Sequence, residues 1–354
     1  LKERLQELKD QGKTVYSFSR LGTMNNCEYE YYNTYMLKNR GIENIYTVMG
    51  SSIHDGTESL YKGEMNPKDF KESVENKLIE SELLGITFPS DKIGDSWKAD
   101  VNHFLANFKK IDKKAVLEKL IVFEVSDGIY FQGYVDAIMP SDKGKPYIDV
   151  VDWKTSSKFT GKKLTEAGRQ LLLYNIGLDQ VTNVKVDKVV WFMIKYVYVC
   201  SQGKKAVKKK MCNRGKWVKE IRNQLHKLLE KSGVEDFEVE ILLDKAVEDN
   251  NLSCLPKEIQ EQYWLEDCMV EYDITDEKIN EVKEYVVDTV QKIENKNPSD
   301  ESEWKPKKID KYDSFYCSVL CGHRKTCRFY KEFLDNNSND FTKKKKDDDF
   351  DLFG

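Results

Sequence analysis

The sequence predicts an α/β fold, a central mixed sheet flanked by helices with a helical N-terminal region before it. Three observations carry this reading. Residues from about 119 read as three consecutive strands, "KLIVFEVSDG", "IYFQGYVDAIMP" and "KPYIDVVDWKTSS", separated by turn signals. A helical stretch follows at 163–178, "KLTEAGRQLLLYNIGL", and "KVDKVVWFMIKYVYV" then returns as a strand. A meander, a crossover helix and a further strand imply helices layered on a sheet.

Ahead of the sheet, "LKERLQELKDQGK", "SSIHDGTESLYKG" and "PKDFKESVENKLIESELLG" carry the apolar period of amphipathic helices. "SFSRLGTMNNCEYEYYNTYMLKN" opens a further helix, with Ser17 or Ser19 as its N-cap. Beyond the sheet, 214–231 and 275–295 predict helices, with an ambiguous, partly extended segment between them. From 335 the chain is too poor in apolar residues to fold alone. The organisation expected is a helical region 1–118 containing Cys27 and His54, a sheet core 119–200, a helical and extended region 201–334 ending in cysteines, and a disordered tail 335–354.

Of 354 residues, 40% are hydrophobic and 33% charged, enough for a sizeable core beneath a polar surface. The longest apolar runs, such as "VVWFMI", are strand-sized and too short to span a bilayer. No secretory leader pattern opens the chain, so the expected location is cytoplasmic or nucleoid-associated, with no membrane partner and no secretion. Net charge is −4, which excludes a globally basic, histone-like binder. The basic residues are nevertheless uneven. Residues 195–219 hold nine Lys or Arg and no acid, among them Lys204, Lys205, Lys208, Lys209, Lys210 and Arg214, interleaved with Tyr196, Tyr198 and Trp217. By itself such a run reads as a solvated loop or hairpin; beside a nuclease site it reads as a DNA channel, phosphates on the cations and unpaired bases on the aromatics.

The chemistry is concentrated in "GYVDAIM" and "YIDVVDWKTSS". Acids seldom sit inside apolar strands without a reason. Asp136, Asp152 and Lys154 are either the exposed face of an amphipathic sheet or a metal site. Strand alternation projects Asp152 and Lys154 from one face, and Asp136 on the preceding strand can share their space. Hard carboxylate oxygens suit Mg²⁺, and phosphodiester hydrolysis uses such a cation to activate water and neutralise charge. Gln170 and Tyr174, four apart in the predicted helix, share a face.

In order along the chain, "GSSIHDG", "GYVDAI", "VVDWKT" and "QLLLY" together resemble the PD-(D/E)XK nuclease superfamily, and within it the RecB-like branch. The resemblance implies a restriction-endonuclease-like core. It implies that His54, Asp136 and Asp152 hold Mg²⁺ or Mn²⁺, that Lys154 is the catalytic lysine, and that Gln170 and Tyr174 face the site and the DNA.

Eight cysteines occur, and three are close together in "CSVLCGHRKTC". Without a secretory leader, clustering favours metal over disulfides. The chain is similar to AddB-type and CRISPR-associated RecB-like nucleases in having one cysteine upstream of the core, Cys27, and three downstream, Cys317, Cys321 and Cys327. That similarity implies a [4Fe–4S] cluster on the four thiolates. The spacing here, C-x3-C-x5-C, departs from the usual C-x2-C-x5-C. A local Zn²⁺ site on Cys317, Cys321, His323 and Cys327, or plain buried thiols, remain alternatives.

The activity expected is hydrolysis of DNA by a single-strand- or end-dependent exonuclease in replication, recombination or repair. The alternatives are a structure-specific endonuclease and a nuclease-fold DNA-binding or assembly subunit. No G-x-x-x-x-G-K-[ST] phosphate loop is present, so any unwinding falls to a partner. The end "DFDLFG" resembles peptides that dock on replication sliding clamps, or the acidic tip of a single-strand-binding protein; a simple solubilising tail is the other reading.

Overall fold

The strand-forming runs assemble into one mixed sheet of seven strands in the computed structural model, which describes residues 1–109, 114–203, 205–310 and 314–337. In chain order the elements are α1 (Lys2–Asp10), β1 (Val15–Tyr16), α2 (Phe18–Asn26), α3 (Glu28–Tyr31), α4 (Ile45–Lys62), α5 (Pro67–Leu83) and α6 (Asp91–Ala106). The sheet follows with β2 (Val116–Ser126), β3 (Ile129–Pro140), β4 (Tyr147–Lys154), α7 (Lys162–Val181), β5 (Lys185–Gln202) and β6 (Val207–Asn213). Then come α8 (Trp217–Lys231), α9 (Asp236–Asp249), α10 (Lys257–Gln260), β7 (Tyr263–Tyr272), α11 (Asp276–Glu294) and a last helix, α12, over 328–337. Two compact units divide the chain: Leu1–Val15 with Met49–Val282, and Tyr16–Val48 with the chain from Lys283 onward.

In the first unit β2, β3 and β4 form the antiparallel meander that the turn signals predict, and α7 crosses over to β5, parallel to β4. Val189 to Ile194 on β5 is an unbroken buried run, as expected of a strand covered on both faces. Two glycines let α7 lie close on the sheet. A Cβ at Gly168 would stand 2.3 Å from the Tyr272 ring, and one at Gly177 would stand 2.6 Å from Phe123. Gln170 and Tyr174 lie between these two contacts, so the close packing sets their height above the sheet.

The segment that reads as ambiguous holds α9 and β7. Acids at Glu266, Asp267 and Glu271 break the apolar pattern of β7, and a strand partner answers each of them or a neighbour does. Lys209 pairs with Glu266 at 2.5 Å, Arg214 with Asp267 at 2.5 Å and Lys188 with Glu271 at 3.5 Å. Apolar residues of α8 and α9, among them Ile221, Leu225, Val239 and Leu243, close a core against Val197 and Val199 of β5.

In the second unit the N-cap of α2 is Ser17, whose Oγ accepts from the Arg20 amide at 3.3 Å. Trp304 stacks on Tyr31 and Tyr32, and Glu30 accepts from the Gly322 amide at 3.0 Å and the Tyr316 hydroxyl at 2.5 Å. Residues near both ends of the chain are thereby stitched together. Of the tail expected from 335, residues 335–337 belong to α12, and "DFDLFG" lies outside the described residues, as does Lys204. Among the described residues no helix is long and apolar enough to cross a membrane.

Candidate active site

Asp152 and Lys154, two apart on β4, meet as alternation predicts: Nζ stands 2.7 Å from Asp152 Oδ2. The approach lies off the directions of a hydrogen bond, so this buried carboxylate oxygen keeps lone-pair capacity for another partner. Lys154 Nζ donates instead to Gln170 Oε1 at 3.0 Å, and Gln170 Nε2 donates to the Tyr174 hydroxyl at 2.8 Å. The two α7 residues therefore form a chain that ends on the lysine.

Asp136 on β3 is buried, and its Oδ2 accepts from the Trp153 amide at 2.8 Å. His54, one helical turn into the part of α4 that belongs to this unit, places Nδ1 3.5 Å from the same oxygen. Trp153 supports both, with its backbone on Asp136 and its ring edge-on to His54 at 6.0 Å. Burial lowers the proton affinity of His54 against the opposing pull of Asp152, which keeps the imidazole neutral, the form that can ligate a metal.

Glu118 on β2 joins this group and is absent from the sequence reading. It stands opposite Asp136 in register, between the pairs Leu117–Ala137 and Lys119–Val135, and its φ of 46° places it in the left-handed region that bulky residues avoid. Among the described residues, His54, Glu118 and Asp136 are the group of metal-ligating side chains gathered within 4.8 Å. Burial first, then the Asp136 charge, raises the Glu118 carboxyl to about 7; burial first, then Asp152, raises Asp136. Acids crowded out of water in this way fit a cation, which would relieve both penalties.

An acid whose folded pKa is raised binds its proton more tightly folded than unfolded, so its contribution to stability falls as pH rises above the unfolded value near 4. In EDTA the melting temperature is therefore expected to fall between about pH 5 and pH 8 through Asp136 and Glu118. Mn²⁺ should restore it by an increment that grows with pH. Asp136→Asn should flatten both trends in a thermal melt; a variant that keeps the full metal increment would remove Asp136 from the group.

The basic run is a β5–β6 hairpin, and two of its expected DNA contacts need correction. Arg214 is 2% exposed, its Nε donating to the Ile194 carbonyl and its Nη2 to Asp267. Trp217 is buried in the α8–α9 core, and Tyr196 is buried too. A guanidinium without a counter-ion is too costly to bury, and the half-buried Asp267 supplies one to Arg214. Lys205, Lys208, Lys209 and Lys210 are exposed, although Lys209 pairs with Glu266 and Lys210 donates to the Glu220 carbonyl.

In the second unit the four expected cysteines lie together. Burial first, then the neighbouring Cys27 and Cys327, pushes the Cys317 thiol up to about 11. Burial, Glu30 and Cys27 likewise raise Cys321. The Lys307 amide donates to Cys27 Sγ at 3.2 Å and the His323 amide to Cys321 Sγ at 3.4 Å. His323 itself is engaged through Nε2 with Thr34 Oγ1 at 3.0 Å.

Carboxylates from adjoining strands, an imidazole from a flanking helix and a lysine two residues past one acid make the donor set of a divalent-cation hydrolase on an α/β sheet. A model of the PD-(D/E)XK nuclease superfamily matches residues 15–328, and the chain belongs to that superfamily. Membership implies metal-dependent nuclease activity with DNA as the substrate class. No curated protein matches the chain.

Proposed function

We propose that the protein is a RecB-like deoxyribonuclease, acting as an exonuclease on single-stranded or end-containing DNA in replication, recombination or repair. The observation that carries this reading is the convergence of His54, Asp136, Asp152 and Lys154 with the Gln170–Tyr174 chain. His54, Asp136 and Asp152 would hold Mg²⁺ or Mn²⁺, with Glu118 as a further carboxylate. A cation bound there lowers the pKa of a water and takes up charge developing on the phosphate. Lys154 contributes a cationic donor beside the attacked phosphate, and Gln170 keeps its Nζ directed by accepting one of its protons. Tyr174 fixes the Gln170 amide in turn. End-labelled linear and circular single-stranded DNA test the reading: an exonuclease degrades the first and spares the second, whereas cleavage of the circle favours the endonuclease alternative.

The cysteine group supports a [4Fe–4S] cluster on Cys27, Cys317, Cys321 and Cys327 over zinc. Sulfurs on one tetrahedral zinc would stand about 3.8 Å apart, given Zn–S bonds near 2.3 Å. No three of these thiols, all of them described, gather within 4.8 Å. A multi-iron cluster holds its cysteines further apart, and amide donors to sulfur are a usual feature of such sites. The engagement of His323 with Thr34 also disfavours it as a fourth zinc ligand.

The β5–β6 hairpin supports DNA binding through Lys205 and Lys208, the cations there without an ion pair or carbonyl partner among the described contacts. Replacing both by alanine should weaken binding about equally across sequences and reduce the slope of log affinity against log salt by roughly 1 to 2. An unchanged slope in a fluorescence-anisotropy titration would return the hairpin to solvated surface. Docking of "DFDLFG" on a sliding clamp or single-strand-binding protein rests on sequence alone.

A further inference from the structure

A cavity of about 300 Å³ lies beside the catalytic strand, lined by Lys158, Phe159, Leu164, Trp191, Met193 and Met211, with Thr160 and Val270 completing it. Its position is set by register. Trp191 pairs with Asp152 and Met193 with Lys154 in the parallel β4–β5 ladder, so both floor residues project from the face that carries the acid and the lysine. Val270 pairs with Trp191 from the other side. The cavity therefore opens one strand away from the reacting centre, where β4 ends and the chain leaves towards α7. Ligand pockets of sheet proteins concentrate at such carboxyl ends.

Its chemistry is specific. The floor and walls are aromatic and thioether, with Phe159 and Trp191 4.9 Å apart at 60°. Trp191 is fully buried, its indole N–H included, so it contributes apolar packing to the floor and no donor that reaches the cavity. Lys158 stands exposed at the rim, the same loop carries Ser156 and Ser157, also exposed, and Lys163 is exposed in the first turn of α7. An apolar cavity with an aromatic wall and a cationic lip matches a base attached to its phosphate. At the small end of ligand pockets, it has room for one ring system and none for a duplex.

We propose that this cavity receives one unpaired nucleobase of the substrate strand, next to the scissile phosphate, with Phe159 against its face and Lys158 beside its phosphate. The inference rests on the nuclease reading and deepens it: a base held there cannot be paired, so the slot selects single strands.

The test is cleavage, with Mn²⁺, of a single-stranded oligonucleotide and of a series in which one abasic residue steps along it. With the wild-type protein, an abasic residue at one position near the cut should raise KM about tenfold with little change in kcat, the scale of one base–aromatic contact. Phe159→Ala should raise KM on the intact oligonucleotide similarly, and the abasic residue should then add little, since both changes delete one contact. If wild type cuts every abasic oligonucleotide with the KM of the intact one, the pocket assignment is wrong and the nuclease reading stands. If wild type cuts none of them, intact included, the nuclease reading fails and takes the pocket with it.

Discussion

Asp152→Ala and Lys154→Ala are each expected to lower the cleavage rate at least 100-fold, within the range of about 10² to 10⁴ typical for removing one positioned proton-transfer group. Asp152 is 1% exposed and is the counter-charge for Lys154, and in the proposed site it would also supply a ligand oxygen. Binding to DNA should survive, because phosphates along the rest of the strand are held by other cations. Gln170→Ala should cost less than Lys154→Ala, since it removes the acceptor that directs Nζ and leaves the charge in place. Initial rates with Mg²⁺ and Mn²⁺, alongside anisotropy with the metal chelated, separate these effects. Wild-type cleavage by Asp152→Ala would overturn the active-site assignment.

Cys27→Ser should behave as Cys321→Ser does, although the two lie 294 positions apart in the sequence. A shared cluster requires this: loss of any one thiolate opens the site, and the free energy of binding the cluster is part of the folding free energy. Both variants should lose the iron absorbance and melt at a lower temperature by a similar amount. A local zinc site gives another outcome, mild for Cys27→Ser and severe for Cys321→Ser, with zinc retained in the first. Metal content by elemental analysis decides between them, whatever the nuclease assay shows.

The parts of this protein legible in its sequence are those that depend on neighbouring residues. Asp152 and Lys154 share a face because strands alternate, and Gln170 and Tyr174 line up because they are one helical turn apart. The turns between β2, β3 and β4 were visible as Gly, Ser, Asp and Pro. Even the N-cap of α2 was narrowed to two serines by residue type alone. Glu118 was not visible, because an acid beside a strand start has no meaning until the β2–β3 register places it opposite Asp136. Arg214 was misread for a related reason: its charge matches the basic run around it, and only the pairing of β5 with β7 brings Asp267 to it as a counter-ion. Trp217 looked like a stacking platform and proved to be the apolar start of α8.

The sequence by itself determined the α/β class, the order of the core elements and the spacing of the candidate site residues, because hydrophobic period, turn chemistry and short spacing are local and additive. Tertiary structure alone decided which cations of the basic run are already paired, that a third acid stands at the site, and that Trp191 and Met193 floor a cavity one strand from Asp152 and Lys154. Those features are set by strand register and by the depth at which each side chain is desolvated. Both are properties of residues brought together from distant parts of the chain, where no local pattern records them.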